Sequence, residues 1–201
     1  MKGRTYFFTV NLAERQRTLL TDHADILRSV MRKVKARHPF SIDAIVVLPD
    51  HIHALWTLPK DDCDYPTRWM LIKTGFSRQI PKDESVSRSR MSKGERGIWQ
   101  RRYWEHMIRD ENDFARHVDY IHYNPVKHGY AVRPSDWQFS SIHRYIADGK
   151  LNPNWSAHFN ENELPKISVG WGERSEPQQK HNTGITRMPG WGTNPDKNRV
   201  P

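Results

Sequence analysis

Cysteine is nearly absent: Cys63 is the single one among 201 residues. An internal disulfide is therefore excluded, as is any zinc finger built on paired cysteines. The count fits a reducing, cytoplasmic compartment. Long hydrophobic runs are missing too. The longest clean one is Ile45-Val46-Val47-Leu48, against the ~20 apolar residues that a membrane helix needs. Near the start, Tyr6-Phe7-Phe8-Thr9-Val10 gives way to Asn11, Glu14 and Arg15, too soon for the apolar core of a secretory signal. Acidic residues are in deficit, 23 Asp and Glu against 32 Lys and Arg, for a net charge of +9. These absences predict a soluble cytoplasmic protein with no membrane span. The charge favours a polyanionic partner, because neutralising phosphates releases counterions. A membrane surface would be served by the same charge, so charge alone does not choose.

Residues 4–12 are rich in β-branched and aromatic side chains and predict a strand. Residues 21–37 predict a helix, with Ile26, Leu27, Val30, Met31 and Val34 at helical spacing and Pro39 beyond its end. Its other face carries Arg28, Arg32, Lys33, Lys35 and Arg37. Residues 41–48 predict a second strand with Ile42, Ala44, Val46 and Leu48 on one face. Residues 51–58 predict a third, joined to the second by a Pro49-Asp50 turn. A helix over 65–80 follows. Residues 81–96 are rich in Ser, Lys, Arg and Gly, lack an apolar period and read as a mobile loop. A fourth strand is expected over 98–109. Asp110 caps a helix over 111–123, which Pro125 and Gly129 end. A short element spans 139–147. This order is that of a ferredoxin-like α+β sandwich, with helices on one face of an antiparallel sheet and the other face open to a ligand. From residue 166 Ser, Gly, Pro, Gln and Asn dominate, and Gly170-Trp171-Gly172 recurs as Gly190-Trp191-Gly192. The expected organisation is a domain over 1–165 and a disordered basic tail over 166–201.

His51 and His53 stand two apart on the third strand, so they point to one face. Each neutral imidazole offers a lone pair to a metal. Tyr120 and Asn124 stand four apart on the following helix and share a face, with His117 just before them. A tyrosine and an amide facing a metal-bearing sheet would make a phosphoryl-transfer site. The residues alone also allow two half-exposed histidines, a core tyrosine and an asparagine that caps the helix. Both readings stand at this point. Tyr123 is a competing hydroxyl, turned about 60° from the Tyr120–Asn124 line.

Several ordered segments together resemble the HUH single-tyrosine transposases, specifically the REP-associated tyrosine transposases. They are Tyr6-Phe7-Phe8-Thr9-Val10-Asn11-Leu12, Val47-Leu48-Pro49-Asp50-His51-Ile52-His53, Ile98-Trp99-Gln100, Tyr103-Trp104-Glu105-His106, and the run from His117 to Gly129. Asp136-Trp137 with Phe139-Ser140-Ser141 also fits, and the similarity covers about residues 4–148. The resemblance implies the HUH nuclease fold, His51 and His53 as metal ligands, Tyr120 as nucleophile and Asn124 as third ligand. Many relatives carry Gln at that last position. It implies a divalent ion, Mg²⁺ or Mn²⁺, and cleavage and rejoining of single-stranded DNA at REP-type hairpins through a 5′-phosphotyrosine. Arg28, Arg32, Lys73, Arg101, Arg102 and Lys127 would track phosphates. Trp99, Tyr103 or Trp104 would either stack on a base or pack in the core. The assembly would be a monomer or a homodimer. Two other functions use the same residues: a non-cutting protein that binds hairpin DNA or RNA on this fold, and a metal hydrolase that activates water.

Overall fold

The computed structural model describes residues 2–156 apart from Ser85 and Ser87. Strand β1 spans Lys2–Asn11. The expected helix over 21–37 is two helices, α1 (Leu19–Asp22) and α2 (Ala24–Arg37), divided at His23. Then come β2 (Ser41–Val47), β3 (His51–Pro59), α3 (Tyr65–Gln79), the short α4 (Arg88–Met91), β4 (Trp104–Met107), α5 (Glu111–Lys127), a 3₁₀ turn at Pro134–Asp136 and α6 (Ile142–Ala147). All pairings are antiparallel and the sheet order is β2-β3-β1-β4. That is the ferredoxin-like order expected of the α+β reading.

Period-two alternation splits β1 between the two faces. Tyr6, Phe8 and Val10 join a core with Leu27, Val30, Met31 and Val34 of α2 and Trp69, Ile72 and Phe76 of α3. Phe7 joins a second core with Leu55 and with Val118, Tyr120 and Ile121 of α5. Helices therefore cover both faces, which corrects the expectation that they lie on one. The open face implied by the sequence reading is roofed by α5, and the candidate site lies under that roof. In the larger core Trp56 stacks on Trp69 with centroids 4.2 Å apart. Helices α2 and α3 cross so closely that a Cβ on Gly75 would lie 2.8 Å from Val30 Cγ1.

Other expectations also change. A register shift between Ile42 and Ala44 puts Ile42 on the α2–α3 face and leaves Ala44, Val46 and Leu48 on the α5 face. One extra residue in a strand flips everything beyond it. The expected strand over 98–109 is two pieces. Trp99 bridges to Leu12, whereas β4 pairs with Tyr6–Thr9. The segment over 81–96 contains α4, and Arg96 ties it down on the carbonyls of Ser77, Ile80 and Pro81 and on Glu84. Finally, α5 runs through Pro125 to Lys127 instead of stopping before it. Proline withholds one N–H from the helix, and the turns after it are closed by His128 N–H donating to the Asn124 carbonyl and Gly129 N–H to Val126. Gly129, at φ +70, then ends the helix. The expected boundary at 165/166 and the tail lie outside the described residues. Among the described residues no helix is long and apolar enough to cross a membrane.

His122 gives the fold a pH dependence. Its ring is buried, Nε2 lies 2.9 Å from Ser141 Oγ, and burial pushes its pKa from 6.5 to about 3. Unfolded, the ring takes a proton below pH 6.5; folded, it resists until about pH 3. Unfolding thus takes up a proton in that window, so stability is full above it and falls as the pH drops. At pH 5 this histidine alone removes about 2 kcal/mol relative to neutral pH. Denaturant melts at the two pH values measure this, and His122→Gln should flatten the dependence. An unchanged pH slope in that variant would refute the assignment.

Candidate active site

β3 begins at His51, directly after the Pro49-Asp50 turn, and Leu48 N–H closes that turn on the His51 carbonyl at 2.8 Å. In the β1–β3 register His51 faces Asn11 and His53 faces Thr9. Both histidines point toward α5 and both are buried, not half-exposed, with ring centroids 4.8 Å apart. Each ring has its Nδ1 occupied. His51 Nδ1 lies 2.6 Å from Asp50 Oδ1, and Asp50 Oδ2 takes Arg15 Nε at 2.6 Å. Burial opposes ionisation of Asp50, but the His51 hydrogen bond and Arg15 outweigh it and hold the carboxyl at about 2. An ionised carboxylate only accepts, so the His51 ring proton sits on Nδ1. His53 Nδ1 lies 2.9 Å from Thr9 Oγ1. With Nδ1 engaged there, Nε2 is the nitrogen of His53 left for a ligand. Burial above all pushes the His53 pKa well down, which keeps the ring neutral.

Helix α5 faces this pair. Its start is fixed by Asp110, whose side chain accepts the Asp113 N–H. Tyr120, 7% exposed, sets its ring 5.1 Å from that of His53 and 6.0 Å from Phe7. Burial raises the Tyr120 hydroxyl pKa, and the Asn124 amide acts against that rise. The approach is too loose to count as a hydrogen bond for the amide: Asn124 is fully buried, and neither Nδ2 nor Oδ1 has a partner. A buried orphan amide costs roughly 1–3 kcal/mol. Asn124 therefore stays inside the helix, one turn beyond Tyr120, with capacity to spare for a ligand. Asn11 adds a second orphan acceptor. It is 4% exposed, its Oδ1 lacks a partner, and its Nδ2 reaches Gln100 Oε1 only at 3.5 Å.

A further polar group stands beside the first. His106 Nε2 lies 2.8 Å from Asp113 Oδ2, and His117 Nδ1 lies 2.7 Å from the Asp113 carbonyl oxygen. His106, Asp113 and His117 can each offer a ligand atom within 4.8 Å of the others, so the group could hold a metal ion. Phe7 separates it from the first pair, with its ring 4.7 Å from His117 and 5.6 Å from His53. The sequence carried one signal for it, the Asp113–His117 spacing on one helix face. Asp50, Thr9 and Asn11 were also missed. Only the strand register brings Thr9 and Asn11 to the histidines.

The basic residues are dispersed. Lys127 is exposed, with its ammonium 5.4 Å above the Tyr120 ring. Arg28, paired with Asp25, and Arg32 stand on α2, across the sheet from the histidines. Arg101, paired with Glu95, and Arg102 are exposed ahead of β4. Lys73 is buried. Its Nζ donates to the Gln100 carbonyl at 2.9 Å and lies 5.1 Å from the Tyr103 ring, and burial lowers its pKa to about 8. Trp99 packs in the larger core, its Nε1 3.1 Å from Ser77 Oγ. Tyr103 packs against that core and Trp104 against the other.

The chain is similar to known proteins over most of its length. Residues 3–124 match the family described as "Transposase IS200 like". An Escherichia coli protein named REP-associated tyrosine transposase is 46% identical over 156 residues, 78% of this chain and 87% of that one. A Haemophilus influenzae relative of the same family name is 45% identical over 158 residues, 78% of this chain and 90% of its own. A solved structure of a REP-associated tyrosine transposase bound to a REP hairpin superposes with a TM-score of 0.71 at 42% identity, covering 87% of this chain and 95% of that one.

Proposed function

The chain belongs to the IS200-like transposase family, a family of DNA-processing enzymes, and from that premise we propose that it cuts and rejoins single-stranded DNA at REP-type hairpins with Tyr120 as nucleophile. One observation carries the reading. The Tyr120 ring lies against His53, and the unpartnered Asn124 amide sits one turn further along the same helix. The Tyr120 oxygen forms a bond to phosphorus while the bond to the 3′-oxygen breaks. The products are a 5′-phosphotyrosine and a free 3′-hydroxyl. Because the bond energy is kept, a DNA 3′-hydroxyl reverses the step and joins strands.

Three side chains fit a divalent ion, Mg²⁺ or Mn²⁺: His51 and His53 through their Nε2 atoms, and Asn124 through its orphan amide. When bound there, such an ion supplies Lewis-acid polarisation of the scissile phosphate. Asp50 and Thr9 hold the two rings in the ligating tautomer. The His106–Asp113–His117 group offers an alternative location, since His106 and Asp113 bond each other but His117 Nε2 is buried without a partner; we assign the ion to the orphan amide and the histidine pair because the Tyr120 ring lies against His53. Asp50→Ala should weaken Mn²⁺ binding by roughly 10- to 100-fold, the usual effect of losing a group that orients a metal-bound histidine. Titration of free Mn²⁺ by its paramagnetic signal measures it. Unchanged affinity in Asp50→Ala, with loss in His117→Ala, would move the ion to the other group.

Arg32, Arg101, Arg102 and Lys127 are exposed and suited to phosphates, with Arg28 near Arg32 on α2. Lys73 supports the site from within, through the Gln100 carbonyl. The catalytic unit is residues 1–165, with 166–201 a basic extension. The function is tested by incubating labelled hairpin DNA bearing single-stranded flanks with the protein and Mg²⁺ or Mn²⁺. A covalent adduct that survives a denaturing gel is expected. Hairpin binding without an adduct, whichever ion is supplied, would make the protein a non-cutting binder.

A further inference from the structure

A line of rings leads away from the candidate centre. His128, the residue that closes α5, meets His51 edge to face with centroids 5.3 Å apart. Tyr130 stacks on His128 at 6.1 Å and 28°, and Trp137 meets Tyr130 at 5.6 Å and 31°. Phe139 closes the line against Trp137 at 5.7 Å, edge-on. The far end is rigid. Trp137 donates its Nε1–H to the Val47 carbonyl at 2.9 Å and packs on the α5-side core, while Phe139 packs on the other core. The near end is open: His128 is exposed, and Tyr130, at 45%, is among the few large apolar side chains left in solvent among the described residues. Gly129, at φ +70, makes the turn that sets Tyr130 beside His128. Cations flank the line. Lys127 is exposed, and Arg15 stands half-exposed where it pairs with Asp50, next to His51.

We propose that His128 and Tyr130 form a stacking subsite for unpaired nucleobases of the strand that continues past the scissile phosphate. The inference rests on the reading of Tyr120 as a DNA-cutting nucleophile. An exposed aromatic ring on a rigid backing loses little freedom on binding, and every base has a π-face to offer it. Base pairs inside a stem have both faces covered by their neighbours, so the occupants that can enter along the strand are unpaired bases. The flanking cations suit its phosphates, and continuity with His51 fixes where its first base begins. The Asp136-Trp137 and Phe139-Ser140-Ser141 segment thereby gains a role as the fixed end of this platform.

The test compares a blunt hairpin with the same hairpin carrying a short single-stranded extension, by fluorescence anisotropy in EDTA so that no cutting occurs. The full chain should bind the extended hairpin more tightly. Tyr130→Ala should lose about tenfold of that gain, the size of one base–aromatic stack. Its affinity for the blunt hairpin should stay within about twofold, as befits an exposed position. Tyr130→Phe keeps the ring and should behave as wild type. An extension effect that survives intact in Tyr130→Ala overturns the subsite, and so does an equal loss on both hairpins. The covalent-adduct assay is run separately. An adduct without an extension effect would leave the nuclease and remove the subsite. A Tyr130-dependent extension effect without an adduct would do the reverse.

Discussion

Tyr120→Phe should abolish the covalent adduct and lower strand cleavage by on the order of 10³-fold or more, because the reacting atom itself is removed. Folding should be untouched. The Tyr120 ring is held by Phe7, Leu55, Val118 and Ile121, all apolar partners that a phenyl ring keeps. The lost hydroxyl makes only a loose approach to Asn124, so its removal leaves no strong hydrogen bond broken. Hairpin affinity should stay within about twofold, since phosphate tracking falls to basic side chains elsewhere. A thermal melt, a binding curve and a denaturing gel on one preparation separate the three quantities. Cleavage within tenfold of wild type in Tyr120→Phe would sink the tyrosine mechanism and leave water, or another hydroxyl, as nucleophile.

The second large effect is expected at His51. His51→Ala removes one ligand atom and should lower cleavage by at least about 10²-fold, the scale set by losing electrostatic stabilisation at a developing charge. It should also end measurable Mn²⁺ binding while hairpin affinity persists. Here a side effect must be separated. Asp50 is buried, and the His51 hydrogen bond is the foremost of the contacts that hold its carboxyl at about 2 against that burial. Without His51 the carboxylate keeps Arg15 alone and its pKa rises. Stability is then lost at pH values above that raised pKa, where the carboxylate stays ionised, and the loss fades as the pH falls through it. The double variant Asp50→Asn/His51→Ala removes the stranded charge and should recover the melting temperature without recovering cleavage. Equal loss of hairpin binding and cleavage in both variants would make the histidines structural.

How much of this the sequence disclosed depends on the range of the interactions. His51 and His53 share a face because strands have a period of two. Tyr120 and Asn124 share a face because helices place i and i+4 together. Both facts are local, and the structure sets the Tyr120 ring against that of His53. Thr9 is different. It reaches His53 only through the β1–β3 register, across 44 positions. The same holds for Asn11 opposite His51. The side assigned to Ile42 failed because a one-residue register shift has no reliable mark in composition. The helix end expected before Pro125 failed because proline forbids one hydrogen bond, not a helix whose neighbours remain paired. Lys73 was read as a surface charge because a long aliphatic stem looks the same in sequence whether its head reaches water or a buried carbonyl.

The roof over the sheet bears on how the site holds together. The histidines belong to β3, at the centre of the sheet between two paired strands, whereas Tyr120 and Asn124 belong to α5, docked through the smaller of the two cores. The two halves of the chemistry are thus mounted on separately stabilised parts. Leu55 and Val118 share the core between them: a truncation there would spare His51, His53, Tyr120 and Asn124 and should still loosen the proposed nucleophile against the proposed ligands, making alignment the first property lost as the protein loosens.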